Sequence, residues 1–206
     1  TSLVKDIRVG AESAFTSSSL MVATSDLLLF SANDGVNGDA LWRSTGDEAG
    51  TSLVKNLRPG ADGDVSYFGA FTVIDDVLYF AGNDGTNGKE LWKSDGTAAG
   101  TVLVKDIAPG VEDAAPDSLV AAGNRLYFRA RTVAEGTELW TSDGTAAGTF
   151  LLKDLFPGPA SSSIFALAAA GDRLFFTGLD GGPGEALWMY LLEPPASGLA
   201  MEPASL

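Results

Sequence analysis

Short runs of alternating apolar and polar residues fill the chain, and the pattern is clearest between residues 67 and 107. Four runs rich in β-branched and aromatic residues are separated there by Asp, Asn and Gly, which favour turns. The runs predict strands a, b, c and d at residues 67–74, 77–82, 90–94 and 101–107. The two residues between strands a and b suit a tight hairpin. This unit is therefore predicted to be a four-stranded antiparallel sheet.

The same unit recurs four times along the chain. A repeat near 50 residues with several short strands per repeat is typical of propeller blades. The predicted fold is therefore an all-β propeller of four-stranded blades over residues 1–192. Residues 193–206 are rich in Pro and Ala and are predicted to form a C-terminal tail or linker. The repeat is marked by tryptophans 50, 48 and 48 residues apart, each preceded twelve residues earlier by a phenylalanine: Trp42, Trp92, Trp140 and Trp188, with Phe30, Phe80, Phe128 and Phe176.

The two ends of the repeat pattern bear on how the blades close into a ring. Residues 1–7 resemble an isolated strand d, whereas the fourth unit stops after strand c at Leu187 and Trp188. If residues 1–7 pair with that strand c, four blades form a ring with no open sheet edge. Closure within one chain is the favoured prediction. The alternatives are half of an eight-bladed ring made by two chains and a fragment of a longer array, so monomer and dimer both stay open.

Composition excludes several classes of function. Thirteen basic against 27 acidic residues give a net charge of −14, which repels phosphate backbones and anionic membrane surfaces. Nucleic-acid binding is therefore not expected, and no apolar run reaches the length of a membrane span. The chain has no His and no Cys, which removes Ser-His-Asp and Cys-His nucleophiles and histidine-ligated metal sites. Carboxylate chemistry remains, but no pair stands out among 27 acids.

The loops between strands b and c carry the candidate binding residues. Carboxylate and amide oxygens stand beside glycines there, a composition that resembles calcium loops without their full spacing. The third copy has Thr132 and Glu135 at these positions, so a metal site is not repeated in every unit. Turn formation is the favoured interpretation, and calcium or ligand binding is the alternative. The candidate ligand-binding residues are Asp34, Asn37, Asp84, Asn87 and Asp180.

Strand direction decides which loops share a face of the predicted ring. The b–c and d–a loops emerge at one end, and the a–b and c–d turns emerge at the other. The first set differs more among the four copies, and binding residues tend to lie on such loops when a rigid scaffold holds them. We therefore predict that the b–c and d–a loops form the interaction face.

Other repeated residues have structural interpretations. The tryptophans are predicted to pack between blades, because a Leu-Trp step points one side chain towards each neighbouring blade. Asp95 and Asp143 are predicted to form the c–d turns. The repeated lysines of strand d are predicted to protect the outer sheet edge from pairing with another edge; they are Lys5, Lys55, Lys105 and Lys153.

The c–d hairpin also carries a resemblance to a known family. ELWKSDGTAAGT at residues 90–101 and SDGTAAGT at 142–149 resemble the ELWxxDGTxxGT repeat family, predicted surface or secreted proteins of bacteria. The first copy departs from the motif at residues 44–48, and the fourth lacks the turn. The SDGT step also resembles the Asp box of sialidase-type propellers, which is structural there. The resemblance implies an extracellular or cell-surface repeat module and brings no established reaction.

Two classes of function remain from the sequence. The leading prediction is a non-enzymatic extracellular or cell-surface module for recognition or assembly, whose partner would be a surface polymer, a glycan or a protein. The alternative is a carbohydrate-active propeller, either a lectin or a carboxylate-dependent glycoside hydrolase. The missing catalytic residues favour the first, and the acidic loops favour the second.

Overall fold

A computed structural model describes residues 1–15, 19–58 and 71–192. These residues form fifteen strands and no helix, and none of them belongs to a helix long and apolar enough to cross a membrane. The first part of the predicted strand at 67–74 and the tail at 193–206 lie outside the described residues. The described chain is therefore all-β.

The strands form four antiparallel sheets, each built from consecutive segments of the chain and called a blade below. Blade one contains β1 (Met21–Ala23), β2 (Leu28–Asn33), β3 (Asp39–Ser44) and β4 (Ser52–Lys55). Blade two contains β5 (Thr72–Ile74), β6 (Val77–Asn83), β7 (Lys89–Ser94) and β8 (Val102–Lys105). Blade three contains β9 (Asp117–Ala122), β10 (Arg125–Thr132), β11 (Gly136–Ser142) and β12 (Phe150–Lys153). Blade four contains β13 (Leu167–Ala170), β14 (Arg173–Gly178) and β15 (Ala186–Leu191).

Cross-strand pairing explains the twelve-residue spacing between phenylalanine and tryptophan. In every blade the two residues are direct partners on strands b and c, as in Phe80 and Trp92. Aromatic pairs at such positions stabilise a sheet. Strand c then pairs with strand d, and in blades one, two and three the register shifts by one residue within the Leu-Trp step. In blade two, Leu91 pairs with Lys105 and Trp92 pairs with Leu103. The predicted order a-b-c-d is confirmed in those three blades.

Successive blades bury the Leu-Trp step between them, as predicted. Leu91 belongs to the core cluster that contains Phe128 of blade three, whereas Trp92 belongs to the cluster that contains Leu41 of blade one. Both side chains are buried, Leu91 completely. The prediction that the tryptophans pack between blades is confirmed for Trp92. The fold is thus propeller-like, with its core divided among the interfaces between blades.

The structure does not confirm closure of the ring, nor the number of blades. Residues 1–7 form no strand, and β15 pairs only with β14 among the described strands. The predicted strand at 1–7 is therefore wrong as a strand. The segment lies against blade one instead, where Ile7 packs on the cluster of Phe30 and Trp42. No strand c lies beside the segment in the described sheets, so its backbone has no ladder to join.

Candidate functional site

In blade one, the b–c loop uses its acidic side chain to hold its own turn. Asp34 Oδ1 accepts hydrogen bonds from the backbone N–H groups of Val36 and Asn37, at 2.9 and 2.7 Å. Asp34 Oδ2 accepts a third from Asn37 Nδ2 at 2.7 Å. Partial burial by itself raises the pKa of the Asp34 carboxyl, but the hydrogen bonds from Asn37 and Val36 outweigh burial and leave the pKa below its ordinary value. The carboxylate is therefore ionised and engaged within the loop.

Blade two repeats this arrangement with Asp84 and Asn87. Asp84 Oδ1 accepts the N–H groups of Thr86 and Asn87 at 2.8 and 2.9 Å, and Oδ2 accepts Asn87 Nδ2 at 2.7 Å. Burial again raises the pKa of Asp84, and the hydrogen bonds from Asn87 and Thr86 again lower it further than burial raises it. The repeated geometry supports the turn interpretation of both loops.

The other two b–c loops differ from this pattern. Among the described residues, Asp180 Oδ1 accepts the N–H of Gly182 alone, at 2.9 Å. In blade three, Thr132 and Glu135 bond each other. Across the described ranges, no group of three or more acidic, His or Cys side chains is arranged to hold a metal ion. The five predicted residues therefore lie on three separate loops at one end of the blades. Ligand or calcium binding by them stays a prediction.

The same end of the blades presents exposed apolar side chains. Val36 and Val133 stand at the tips of b–c loops, and Val9 and Val111 lie on d–a connections; all four are between 67% and 89% exposed. In the described a–b and c–d turns at the opposite end, no large apolar side chain is exposed. Exposed apolar groups gathered on one face mark interaction surfaces more often than scattered ones do. We call this end, formed by the b–c and d–a loops, the loop face.

Neighbouring loops on this face are packed tightly together. A Cβ atom on Gly35 would lie 3.2 Å from Arg8 Nε, and one on Gly85 would lie 3.1 Å from Arg58 Nε. Arg58 follows strand d of blade one and covers the b–c loop of blade two, and Arg8, after the N-terminal segment, covers the b–c loop of blade one in the same way. Gly88 has a φ of 68°, and a Cβ there would lie only 1.9 Å from the Glu112 carbonyl oxygen. The loops are thus held by backbone contacts, which suits them to present side chains in fixed positions.

Two buried glutamates, neither of which was predicted as a functional residue from the sequence, lie directly beneath the loop face. Glu90 is fully buried, and its carboxylate accepts the N–H groups of Ile107, Ala108 and Ala114 at 2.8, 3.1 and 3.3 Å. Glu138 accepts the N–H groups of Leu155 and Ser162 at 2.9 and 2.8 Å. Each carboxylate therefore anchors the chain that leaves strand d. The same bond explains why β8 ends at Lys105 and not at residue 107, where strand d was predicted to end. The Ile107 N–H donates to the Glu90 carboxylate and so takes no part in strand pairing.

Burial raises the pKa of Glu90 to about 7, although its three N–H donors lower the pKa in part. Burial likewise raises the pKa of Glu138. One signal in the sequence could have revealed these residues. The position before the Leu-Trp step is Glu in the second and third copies but Ala40 and Ala186 in the first and fourth. Apart from glutamate, this position therefore holds a small apolar residue, which is consistent with a buried site.

Three of the repeated lysines bond to the blade that follows them in the chain. The Nζ atoms of Lys5, Lys55 and Lys105 donate to the carbonyl oxygens of Thr51, Thr101 and Thr149, at 2.9, 2.7 and 2.7 Å. In each case the threonine belongs to the following blade. These lysines were predicted to protect the outer sheet edge, whereas in the structure they bond to backbone carbonyls of the next blade.

The SDGT turns are structural, as predicted. Asp95 Oδ1 accepts the N–H and the hydroxyl of Thr97, at 2.8 and 2.7 Å, and the Thr97 hydroxyl is the main cause that lowers the pKa of Asp95. Ser94 and Thr101 share a buried hydroxyl-hydroxyl hydrogen bond of 2.7 Å. Asp143 makes the same contacts with Thr145 in blade three. The prediction for Asp95 and Asp143 is confirmed.

Comparison with known proteins adds similarity of fold only. No protein-family model and no curated protein matches the chain. The chain is similar to the GH74 enzyme of Niastella koreensis, at 14% identity and a TM-score of 0.49 over 82% of this chain and 27% of that one. It is also similar to the computationally designed Ika8 protein (14% identity, TM-score 0.46, 84% and 45% covered). A third similar structure is TolB from Acinetobacter baumannii, at 12% identity and a TM-score of 0.43 over 76% of this chain and 39% of TolB. The chain spans less than half of each of these proteins, and at these scores the likenesses carry no argument about function.

Proposed function

We propose that the chain is a non-enzymatic recognition module that binds a partner through the loop face. Its resemblance to the ELWxxDGTxxGT repeat family supports a role outside the cell or at the cell surface, and the proposed partner is a surface polymer, a glycan or a protein. The observation that carries the proposal is the exposure of Val9, Val36, Val111 and Val133 on that face, whereas no large apolar side chain is exposed in the described a–b and c–d turns.

The arrangement of the loop face favours binding over chemistry. The carboxylates of Asp34 and Asp84 are each engaged by three hydrogen bonds inside their own loops. They are therefore poor candidates for the proton transfer that a carboxylate hydrolase requires. The same bonds fix the shape of loops whose tips are apolar. Rigid loops lose little conformational entropy when a partner binds, and this favours affinity.

An unbiased screen against arrayed glycans, surface polymers and bacterial surface proteins tests the proposal. The informative variant is Val36→Ser combined with Val133→Ser, because both side chains are exposed and their replacement leaves the core untouched. Central apolar contacts are worth more than about 1 kcal/mol each, so we expect affinity to fall about tenfold or more. The matched control is Val102→Ser, a partly exposed valine on strand β8 away from the loop face.

Asp34→Asn with Asp84→Asn then tests the predicted ligand residues. Asparagine keeps an oxygen that can accept the loop N–H groups but removes the negative charge. Lost binding with an unchanged melting temperature, in calcium or in chelator, would assign these residues to the ligand. Equal binding by the Val36→Ser/Val133→Ser variant and the wild type, or a partner that maps to the c–d turns, would refute the proposal. Release of sugar from an arrayed glycan would favour the carbohydrate-active alternative.

A further inference from the structure

One buried carboxylate holds both ends of a loop on the loop face. Glu90 accepts the N–H groups of Ile107 and Ala108, where the connection after β8 begins, and the N–H of Ala114, shortly before β9 begins. Residues 109–113 lie between these bonds and are all exposed, with Val111 in the middle. We call residues 109–113 the clamped loop.

The backbone beside the clamped loop is strained. Ala115 has a φ of 45°, in the left-handed region that residues other than glycine seldom enter. Such a conformation persists only where surrounding contacts hold it. The bond from the Ala114 N–H to Glu90 is one of these contacts. Weakening of that bond therefore favours release of the clamped loop.

A second acid lies beside Glu90. Asp106 directly precedes the bonded Ile107, and its Oδ1 atom is buried with no hydrogen-bond partner among the described residues. Burial is the main cause that raises the pKa of Glu90, and the negative charge of Asp106 raises that pKa further. A proton on Glu90 would give the Asp106 oxygen the donor that it lacks. Glu90 Oε2 has room for this proton, because Oε2 accepts one N–H whereas Oε1 accepts two.

The two acids occur together in the repeat. Blade three has Glu138 with Asp154, whose Oδ1 atom is likewise buried and without a partner in the described ranges. Blade one has neither acid, since Ala40 and Asn56 stand at these positions. Asn56 makes neutral hydrogen bonds to backbone groups there. Because an asparagine can hold this part of the chain, anchoring alone does not require the acid at Asp106.

Asp106 is the charged group that affects the pKa of Glu90 most. β10 of blade three also packs here, because the Arg131 N–H donates to the Ala114 carbonyl at 2.8 Å. The other charged residues on these elements near Glu90 are Asp84, Lys89, Lys105, Glu112, Asp113 and Arg131. Of these, Lys105 donates to a backbone carbonyl of blade three, and Glu112 and Arg131 are exposed. A change of pH therefore acts mainly on the pair of Glu90 and Asp106.

We propose that Glu90 and Asp106 form a proton-controlled clamp that sets the order of the clamped loop and thereby the position of Val111 on the loop face. With the proton in place, Glu90 Oε2 donates to Asp106 Oδ1, and both Glu90 oxygens keep their N–H partners. When the proton leaves to solvent, two like charges share a buried site. Opening of the clamped loop then relieves the repulsion and hydrates both carboxylates. The consequence for binding rests on the proposed function: the loop face binds best in weakly acidic solution.

The direction of the effect follows from the two pKa values of Glu90, 4.5 in solvent and about 7 in the closed loop. Between these values opening releases a proton, so opening becomes easier as pH rises. The order contributed by the proton is fully present below pH 4.5 and is lost as pH rises through 7. The opening equilibrium should therefore shift by about 10–100-fold between pH 5 and pH 8.

Hydrogen exchange measured by NMR, corrected for the intrinsic effect of pH on exchange, tests the clamp in the absence of any partner. Protection of the three amides bonded to Glu90 should fall by about 10–100-fold from pH 5 to pH 8. Glu90→Gln keeps the shape but cannot ionise, so its protection should be equal at both pH values. Asp106→Asn removes the like charge and should make the fall smaller. The control is Glu48→Gln at an exposed glutamate, which should behave as wild type.

A nitroxide label reports on Val111 itself, since the chain has no natural cysteine. On Val111→Cys the label should become more mobile between pH 5 and pH 8. Val36→Cys is the matched control, because Val36 is similarly exposed on the loop face of blade one, where Ala40 stands in place of the glutamate. The label at residue 36 should not respond to pH.

Equal protection of the three amides at pH 5 and pH 8 would overturn the proposal. An equal fall in wild type and Asp106→Asn would overturn it too, and this comparison decides even where Glu90→Gln does not fold. A label that responds alike at residues 36 and 111 would show general loosening and no clamp. None of these measurements needs a binding partner, so a failed binding screen would refute the proposed function and leave the clamp standing.

Discussion

Replacement of Glu90 by alanine is the most informative change to the fold, because three buried backbone N–H groups would lose their acceptor. These groups belong to Ile107, Ala108 and Ala114. A buried donor without a partner costs about 1–3 kcal/mol, so three of them amount to roughly 3–9 kcal/mol before any water enters. Water in the vacated space would recover part of this loss. We therefore expect Glu90→Ala to lower the free energy of unfolding by about 3 kcal/mol or more, out of the roughly 5–15 kcal/mol of a typical domain.

The loss should depend on pH, because burial raises the pKa of Glu90 from its ordinary value of 4.5 to about 7. Between these two values the folded protein holds a proton that the unfolded chain has released. The stability contributed by this proton is fully present below pH 4.5 and is lost as pH rises through 7. The shift corresponds to about 3 kcal/mol. Glu90→Ala should therefore destabilise the protein more at pH 5 than at pH 8.

Urea unfolding of wild type and Glu90→Ala at pH 5 and pH 8, followed by tryptophan fluorescence, measures both effects. Glu48→Ala removes an exposed glutamate and should change the free energy of unfolding by less than about 0.5 kcal/mol at either pH. A Glu90→Ala protein as stable as wild type at pH 5 would show that the carboxylate does not anchor the chain after strand d. A destabilisation equal at both pH values would refute the raised pKa.

Two further changes test the interfaces between blades. Trp92→Ala removes a buried ring from the cluster that joins blades one and two and should lower the free energy of unfolding by about 3–5 kcal/mol. A melting temperature within a degree of wild type in calorimetry would contradict the packing role of Trp92. Lys55→Met keeps much of the aliphatic stem but loses the bond to the Thr101 carbonyl, so urea unfolding should show a free energy of unfolding lower by about 1 kcal/mol. The control is Lys153→Met at an exposed lysine, which should leave the free energy of unfolding almost unchanged.

The local part of the fold could be predicted from the sequence, because strands and turns are encoded within each repeat. The phenylalanine and tryptophan twelve residues apart are direct cross-strand partners, and Asp95 forms the turn that its neighbours Gly96 and Thr97 suggested. Four copies of one pattern also average out the ambiguity of any single copy. The order of strands within a blade follows from short connections alone.

The misses all concern contacts between distant parts of the chain. Residues 1–7 have the sequence of a strand, but a strand needs a partner edge, and no described strand pairs with them. A glutamate in a strand is usually assigned to the surface, so the burial of Glu90 could not be read from its own residue type. The bond from Lys55 to Thr101 joins residues 46 positions apart.

The buried glutamates connect the core to the loop face. Glu90 bonds the Ala114 N–H, and Ala115 N in turn donates to the Lys89 carbonyl at 2.9 Å. On the other side, Asp113 Oδ1 accepts the Lys89 N–H at 2.6 Å. The connection that carries the exposed Val111 is thereby fixed to the start of β7, directly after the b–c loop of blade two. A carboxylate with no exposure of its own thus helps to fix the position of an apolar side chain on the proposed binding surface. Since local order at a binding surface reduces the entropy lost on association, the hydrogen bonds that stabilise this anchor would also favour the proposed binding at the loop face.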